Sequence, residues 1–169
     1  MKNFLLLSFA SILMFSCETT PKEEEKGPAP GYLLTADGTK IDARDADPAN
    51  LAIWEKYMDA HNNKDFETIA SMNHDSIVLN LWDGRNLMGN DTHIEILKGY
   101  IEEFNPTWNT FFSYTMHVDG QVGDWVITGH EIKQTENGEE KSLSDVLDVF
   151  IVDEKIRRIN PIVIVFIIL

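Results

Sequence analysis

Asp148 is the residue whose surroundings most directly suggest chemistry. It lies between Leu147 and Val149 in a predicted strand that is largely apolar on both faces. A carboxylate there must form an ion pair, accept hydrogen bonds or stay protonated, and a protonated carboxyl can act as an acid at neutral pH. We therefore predict that Asp148 is a catalytic acid or a ligand contact. The alternative is a structural ion pair with Arg157 or Arg158 on the next strand.

A different chemistry is indicated at Cys17, the only cysteine of the chain. A cation at Lys2, an apolar stretch over residues 4–15 and the small residue Ser16 precede it, and the run LMFSC resembles a lipobox. These are the regions of an export signal, too short to span a membrane. We predict a lipoprotein signal peptide at 1–16 and lipidation of Cys17. The alternative, an ordinary signal with a chance cysteine, would leave an unpaired thiol in an oxidising compartment.

Several other kinds of site lack their sequence signatures. The five histidines form no His-x-His or His-x-x-x-His pair, so we predict no metal and no cofactor. The sequence contains neither a glycine-rich phosphate loop nor a Gly-x-Ser-x-Gly motif. Because the single cysteine is assigned to the anchor, disulfides and thiol catalysis are excluded from the folded part.

The charge of the chain limits its partners. It has 28 acidic and 14 basic residues, for a formal charge of −14. Such a surface repels the phosphates of nucleic acids and of anionic lipids. We therefore expect no nucleic-acid partner, and a membrane contact through the lipid anchor only.

The segment after the anchor separates it from the folded part. Residues 17–30 are polar, charged and proline-rich, which is typical of a disordered tether that would hold a domain on the order of 20 Å from the lipid. The run KEEE at 22–25 resembles a signal for the outer face of the outer membrane, and an ordinary solvated charge run is the alternative. The predicted location is the cell envelope, at the outer membrane.

Three helices are predicted before the main series of strands. Asp47 followed by Pro48 is typical of a helix start, because the carboxylate caps free N–H groups and proline lacks one. A second, short helix follows Asp65. Thr92 and Glu95 have the spacing of a capping box, which predicts the start of the third helix.

The predicted strands surround and follow these helices. A hairpin extension around Asp37-Gly38 occupies residues 31–46, and the main domain covers 47–169. Within that domain, strands are predicted at 76–82, 108–118, 123–135, 141–152 and 155–166. Helices followed by consecutive hairpins indicate an α+β domain, with the helices packed on one face of a curved antiparallel sheet.

Five segments accompany this order of elements: YMDAHNNKDFETI (57–69), HDSIV (74–78), DG (83–84), MG (88–89) and DVFIVDEKI (148–156). Together they resemble the SnoaL-like branch of the nuclear transport factor 2-like superfamily over residues 48–166. The resemblance implies a cone-shaped sheet wrapped around three N-terminal helices, with an apolar pocket. That superfamily includes ketosteroid isomerases, polyketide cyclases, epoxide hydrolases, dehydratases and proteins that only bind or assemble, so it implies shape rather than activity.

The same resemblance implies positions for a site. In the isomerase pattern a tyrosine and a late-strand acid donate hydrogen bonds while an aspartate moves the proton; these fall at Tyr57, Asp148 and Asn80. An asparagine amide accepts no proton at neutral pH, so Asp83 at the following turn is the substitute base. The alternative for Tyr57 and the tryptophans is that they are ordinary core aromatics. The expected ligand contacts are Tyr57, Asn80, Asp148, Trp54 and Trp82.

The orientation of the predicted strand at 141–152 determines which side chains lie on the outer face of the sheet. If Asp148 faces the pocket, alternation turns Leu147, Val149 and Ile151 to the outer face. Apolar residues there need a cover, so we predict a homodimer through the outer sheet face, as the resemblance also implies. The apolar run at 162–169 also needs a cover, which we expect from the N-terminal hairpin or from the partner protomer.

Three functional hypotheses follow from these observations. The first is a lipid-anchored envelope protein that binds a small apolar or amphipathic molecule in the cone. The second is a lyase, isomerase or hydrolase that uses Asp148 or Asp83 as acid or base. The third is a protein-interaction module with a vestigial pocket.

Overall fold

A computed structural model of the chain describes residues 27–81 and 83–166. Three predictions lie outside the described residues: the signal peptide at 1–16, lipidation at Cys17, and a ligand contact at Trp82. Most of the predicted tether, residues 17–26, also lies outside them.

The described part contains three helices and eight strands. In chain order they are β1 (Gly31–Leu34), β2 (Lys40–Asp45), α1 (Ala49–Asn62), α2 (Phe66–Met72), β3 (Asn73–Asn80), β4 (Asn86–Met88), α3 (Asn90–Phe104), β5 (Thr107–Val118), β6 (Asp124–Glu136), β7 (Glu139–Val152) and β8 (Lys155–Phe166). The predicted α+β class with three helices before the long strands is confirmed. The short strand β4 was not expected.

All the strands belong to one curved sheet in the order β1-β2-β5-β6-β7-β8-β3-β4, which does not close on itself. Each neighbouring pair is antiparallel except β3 and β8, which are parallel. The sheet is therefore mixed rather than wholly antiparallel. Because β3 and β8 are far apart in sequence, no hairpin turn imposes an antiparallel direction on them.

α1 begins at Ala49 with Pro48 at its N-cap position, so the helix start predicted at Asp47-Pro48 is found within two residues and Asp47 lies just before the cap. Asp47 Oδ1 accepts a hydrogen bond of 2.8 Å from the backbone N–H of Ala49. Asp65 is the N-cap residue of α2, and its carboxylate accepts a hydrogen bond from Thr68 N–H at 3.0 Å. Short acidic side chains before a helix thus give a reliable signal here.

The capping box predicted at Thr92 is wrong. α3 begins at Asn90, and the carbonyl of Gly89 already accepts a hydrogen bond from His93 N–H at 3.1 Å. Gly89 has φ of 93°, a conformation that favours glycine and turns the chain into the helix two residues early. Thr92 consequently lies inside the first turn.

Strand alternation on β6 and β7 determines what faces the helices. Val149 and Ile151 belong to the buried core with the α1 aromatics, and Leu147 packs against that core. The expectation that these three residues face outward is wrong. Both faces of β7 carry apolar side chains, so alternation alone could not tell which face the helices cover.

The N-terminal hairpin joins the sheet at its edge. Residues Ala43–Asp45 of β2 pair with Met116–Val118 of β5. In the sheet order, β5, β6 and β7 separate β2 from β8, so the hairpin is not a neighbour of the described part of the C-terminal apolar run. The prediction that the hairpin or a partner protomer covers that run stays a prediction. Within the described residues, no helix has the length and apolar character needed to cross a bilayer.

Gly123 gives a test of how closely β6 approaches β7. A Cβ at this residue would stand 2.3 Å from the carbonyl oxygen of Ile151, which the strand pairing holds in place. We expect Gly123→Ala to lower the free energy of unfolding by about 1–3 kcal/mol, measured by urea denaturation.

Gly99→Ala is the matched control for that substitution. Gly99 is exposed on α3 with nothing within 4 Å of an added Cβ. Alanine should therefore stabilise the helix by up to about 1 kcal/mol. Destabilisation of the same size in both variants would contradict the close contact at Gly123.

Candidate functional site

A histidine and a carboxylate face each other on the inner surface of the sheet. The register of β6 and β7 pairs His130 with Asp145. His130 Nδ1 lies 2.8 Å from Asp145 Oδ1, the imidazole is fully buried, and the Asp145 side chain is 11% exposed. An imidazole held by a carboxylate is an arrangement that general bases use.

The far nitrogen of the same imidazole is also occupied. Trp54 Nε1 lies 3.4 Å from His130 Nε2, and Thr128 Oγ1 lies 3.2 Å from it. An indole nitrogen only donates, so Nε2 is the acceptor and Nδ1 carries the proton toward Asp145. A bound molecule would have to replace Trp54 or Thr128 to reach Nε2.

Asp145 is the more accessible member of the pair. Among the described residues, its Oδ1 accepts from His130 and no donor reaches Oδ2. Burial, together with the nearby Asp145 charge, raises the pKa of Tyr100 to about 12, so that phenol stays a donor at neutral pH. Tyr100 donates to Gln134 Oε1 at 2.5 Å. We call Trp54, Tyr100, His130, Gln134 and Asp145 the Asp145 cluster.

Tyr57 belongs to a second buried network. Its hydroxyl donates to Asn73 Oδ1 at 2.7 Å, and the Asn73 amide in turn reaches Asn90 Oδ1 at 2.8 Å and His93 Nδ1 at 2.9 Å. Tyr57 is fully buried, and this burial raises the pKa of its hydroxyl well above the usual value. The network joins α1, β3 and α3, so the Tyr57 hydroxyl is engaged in holding elements together. Trp54, the expected pocket wall, is packed in the same core with 1% exposure.

Two buried histidines lie beside this network. His61 Nδ1 bonds the carbonyl of Tyr57 at 2.8 Å, and its ring centroid lies 6.2 Å from that of His93. Burial, with a smaller contribution from a neighbouring histidine, lowers the pKa of each imidazole to about 4. Both rings are therefore neutral at physiological pH.

Asp148 and Asn80 come together, but on the outer face of the sheet. Asp148 lies opposite Asn160 on β8, and Asn160 Oδ1 accepts a hydrogen bond from Asn80 Nδ2. Asp148 alternates with the core residues Val149 and Leu147, so the inward orientation expected for it is wrong. Half-burial on this outer face raises the pKa of Asp148.

The remaining predicted acid lies in an exposed turn. Asp83 accepts from the backbone N–H of Arg85 at 3.0 Å, and its Oδ2 lies 2.7 Å from Arg85 Nε. These two bonds lower the pKa of Asp83, so it is ionised and engaged at neutral pH. Arg157, considered as a partner of Asp148, contacts the carbonyl of Ser76 instead. In the described part of the chain, Asp148 forms no ion pair with either arginine of β8.

One open groove of about 530 Å³ is outlined by described residues. It lies between the α1–α2 turn and α3, lined by Lys64, Phe66, Lys98, Ile101, Glu102 and Asn105. None of these residues was predicted as a ligand contact. Over residues 27–81 and 83–166 no group of three or more His, Cys, Asp or Glu could hold a metal ion.

Sequence reasoning missed His130, Asp145, Tyr100 and Gln134. One signal was available. His130 is spaced by two or four residues from Val126, Thr128 and Ile132, so it lies on the same strand face as these residues. Asp145 precedes Asp148 by an odd number of residues, so only one of the two carboxylates can face inward. Choosing between them required the position of the helices.

The fold occurs in several solved structures. A protein of Shewanella putrefaciens assigned as a SnoaL-like polyketide cyclase has 15% identity and a TM-score of 0.54, over 70% of this chain and 80% of that one. A protein of Kribbella flavida assigned as a ketosteroid isomerase has 15% identity and a TM-score of 0.55, over 66% of this chain and 75% of that one. An epoxide hydrolase of M. tuberculosis has 14% identity and a TM-score of 0.56, over 66% of this chain and 80% of that one.

At these identities the comparisons establish the fold alone. No family model and no curated protein sequence matches the chain. The α+β cone of the nuclear transport factor 2-like proteins is thus confirmed as its architecture. Activity has to be argued from the site.

The buried histidines predict how stability depends on pH. In the unfolded chain the imidazoles have a pKa of 6.5, whereas in the folded protein the pKa values of His61 and His93 are about 4. The unfolded state therefore takes up protons first as the pH falls, and this proton uptake favours unfolding. The contribution of these two histidines to the free energy of unfolding is fully present above about pH 6.5 and is lost as the pH falls toward 4. With two groups the slope should reach roughly 2–3 kcal/mol per pH unit.

The double substitution His61→Asn with His93→Asn should flatten this slope. Each amide can replace the Nδ1 contact of the imidazole but binds no proton in this range. His74→Asn, at a surface histidine that bonds Ser76, is the matched control and should keep the slope. Urea unfolding between pH 8 and 4.5 measures it, and an unchanged slope in the double variant would refute the assignment.

Proposed function

We propose that this chain is an exported, lipid-anchored envelope protein whose domain binds a small amphipathic molecule at the Asp145 cluster. One observation carries the proposal: a carboxylate inside the cone is held on one oxygen by a buried histidine, while no described donor occupies its other oxygen. The anchor at Cys17 is supported by the sequence of residues 1–17.

The chemistry of the cluster defines the class of ligand. A partly buried carboxylate binds best to a group that donates a hydrogen bond or carries positive charge, such as a hydroxyl or an ammonium. The rings of Tyr100 and Trp108, with centroids 6.2 Å apart, offer apolar surface nearby. The ligand would therefore combine an apolar body with at least one donor group. The neighbouring structures are named for polyketides, ketosteroids and epoxides, which are small and largely apolar.

A second candidate function is acid–base catalysis by the same pair. The specific observation is that Asp145 fixes the tautomer and orientation of His130, which leaves Nε2 as a potential proton acceptor. Catalysis would require Nε2 to exchange its contacts with Trp54 and Thr128 for the substrate. This hypothesis moves the acid–base role from Asp148 and Asp83 to groups inside the cone.

We also propose that two copies pair through the outer sheet face. The residues expected to need a cover lie inside, but another set is exposed: Phe111 is 60% exposed, Phe112 40% and Tyr114 44%. The rings of Phe111 and Phe112 lie over Gly129, where any side chain would collide with them. An exposed aromatic surface of this kind is typical of a protein interface.

Asp145→Asn and Asp148→Asn form a matched pair for testing the ligand site. They make the same chemical change on opposite faces of β7. We expect a small molecule to co-purify with the chain from its own host, to be lost on denaturation, and to be missing from Asp145→Asn while Asp148→Asn retains it. Native mass spectrometry, with circular dichroism as a folding control, measures this.

Either of two results would refute the site. Retention by Asp145→Asn would exclude the carboxylate as a contact, and loss from Asp148→Asn would move the site to the outer face. If the purified chain turns over a screened substrate, a loss of turnover confined to Asp145→Asn and His130→Gln would favour the catalytic hypothesis.

The dimer is tested by placing charge on the exposed aromatic surface. Phe111→Glu introduces a carboxylate that a twofold interface would bury twice, so we expect monomers at concentrations where the unmodified surface pairs. Val122→Glu is the control, because Val122 is 87% exposed and lies in the β5–β6 connection. Sedimentation velocity of the mature chain carrying Cys17→Ser distinguishes the species, and a monomer before any substitution would disprove the interface.

A further inference from the structure

The β1–β2 hairpin presents an apolar strand that the rest of the domain does not use. Tyr32, Leu33 and Leu34 are consecutive residues with exposed fractions of 56%, 40% and 59%. Successive side chains of a strand point to opposite faces, so both faces of β1 are apolar and exposed. Only residues 43–45 of the hairpin pair with β5, and β1 lies at the edge of the sheet. The hairpin therefore projects beyond the main sheet.

A contact at Arg44 shows where the chain enters the domain. Arg44 Nη1 donates a hydrogen bond of 2.8 Å to the carbonyl of Gly27, and Nη2 lies 2.8 Å from Asp42 Oδ2. The side chain of Arg44 is only 22% exposed. Gly27, the first described residue, is thereby held against β2 of the hairpin.

The distance to the proposed anchor is short. Gly27 follows Cys17 by ten residues, which even fully extended span at most about 35 Å. If Cys17 carries the lipid, Gly27 and the end of β2 that it contacts stay within about that distance of the bilayer surface. The apolar side chains of the hairpin then meet the headgroup region at a high local concentration.

We propose that Tyr32, Leu33 and Leu34 are a membrane contact that inserts into the interfacial layer of the bilayer holding the lipid anchor. This inference rests on the proposed lipidation of Cys17. Tyrosine is enriched in that layer because its ring is apolar and its hydroxyl is polar, and leucine adds apolar area. The Lys40 ammonium lies 4.0 Å from the Tyr32 ring centroid, from where its flexible stem can extend to a lipid phosphate.

The charge of the hairpin indicates the kind of surface. Asp37, Asp42 and Asp45 accompany Lys40 and Arg44, and the whole chain carries −14, so strongly anionic headgroups would repel the domain. The contact therefore fits a zwitterionic lipid surface. It would orient the domain, because the hairpin and the lipid together define two points of attachment.

The test uses the full acylated protein in phosphatidylcholine vesicles. An environment-sensitive fluorophore is attached at Ala36→Cys in the hairpin turn, and in a second sample at Glu140→Cys, exposed at the start of β7. Acylation of Cys17 leaves the introduced thiol as the only one. We expect lipids with a nitroxide quencher to reduce emission from position 36 at least about twofold more than from position 140.

A triple substitution tests the three side chains directly. Tyr32→Ser with Leu33→Ser and Leu34→Ser should abolish the excess quenching at position 36, and Leu34→Ser alone should reduce it in case the triple variant folds poorly. Met88→Ser is the matched control, since Met88 is 66% exposed on β4 at the opposite edge of the sheet. It should leave the quenching unchanged.

The outcomes separate this inference from the proposed function. An intact mass without acyl chains would refute the proposed anchor and, with it, the membrane contact. An acylated protein without excess quenching, or with quenching that survives both hairpin variants, would refute the membrane contact alone. Photocrosslinking from position 36 in intact cells should capture lipid, and capture of a protein in its place would equally overturn it.

Discussion

The register of β6 against β7 determines which side chains reach the interior of the cone. Pairing of Val126 with Val149 and of His130 with Asp145 puts one face of both strands under the helices. A slip of β7 by one residue against β6 would exchange the two faces of β7. It would bring Asp148 inside and expose Val149 and Ile151, which belong to the core. The site and the core therefore depend on the same pairing.

The interior that results is polar as well as apolar, and its polar groups bind one another. Tyr57, Asn73 and His93 connect three elements by hydrogen bonds, and His130 has a partner at each ring nitrogen. Polar groups can remain buried because these hydrogen bonds replace the ones they would make with water. As a result, few of the buried polar groups are left to bind a ligand. Asp145 stands apart because one of its oxygens has no donor among the described residues. This distinguishes a structural network from a candidate site within one core.

The two exposed apolar surfaces have different geometry and suggest different partners. Phe111, Phe112 and Tyr114 lie on the broad outer face of the sheet, which a second copy can cover by twofold symmetry. The apolar residues of β1 lie on a projecting edge, next to the point where Arg44 holds Gly27. A negative net charge over the rest of the chain limits nonspecific association.

Sequence alone determined the class, the order of elements and several of their ends. Asp47 and Asp65 marked helix starts, and the tight turns marked the long strands, because capping and turn preferences act between near neighbours in the chain. The resemblance named the cone correctly. The parallel pairing of β3 with β8 could not be predicted from the sequence, because it joins residues that are far apart along the chain. The inward face of β7 was not readable either, because apolar residues occur on both of its faces. Only the packed helices decided that Asp145 lies within the cone and that Asp148 and Asn80 lie outside it.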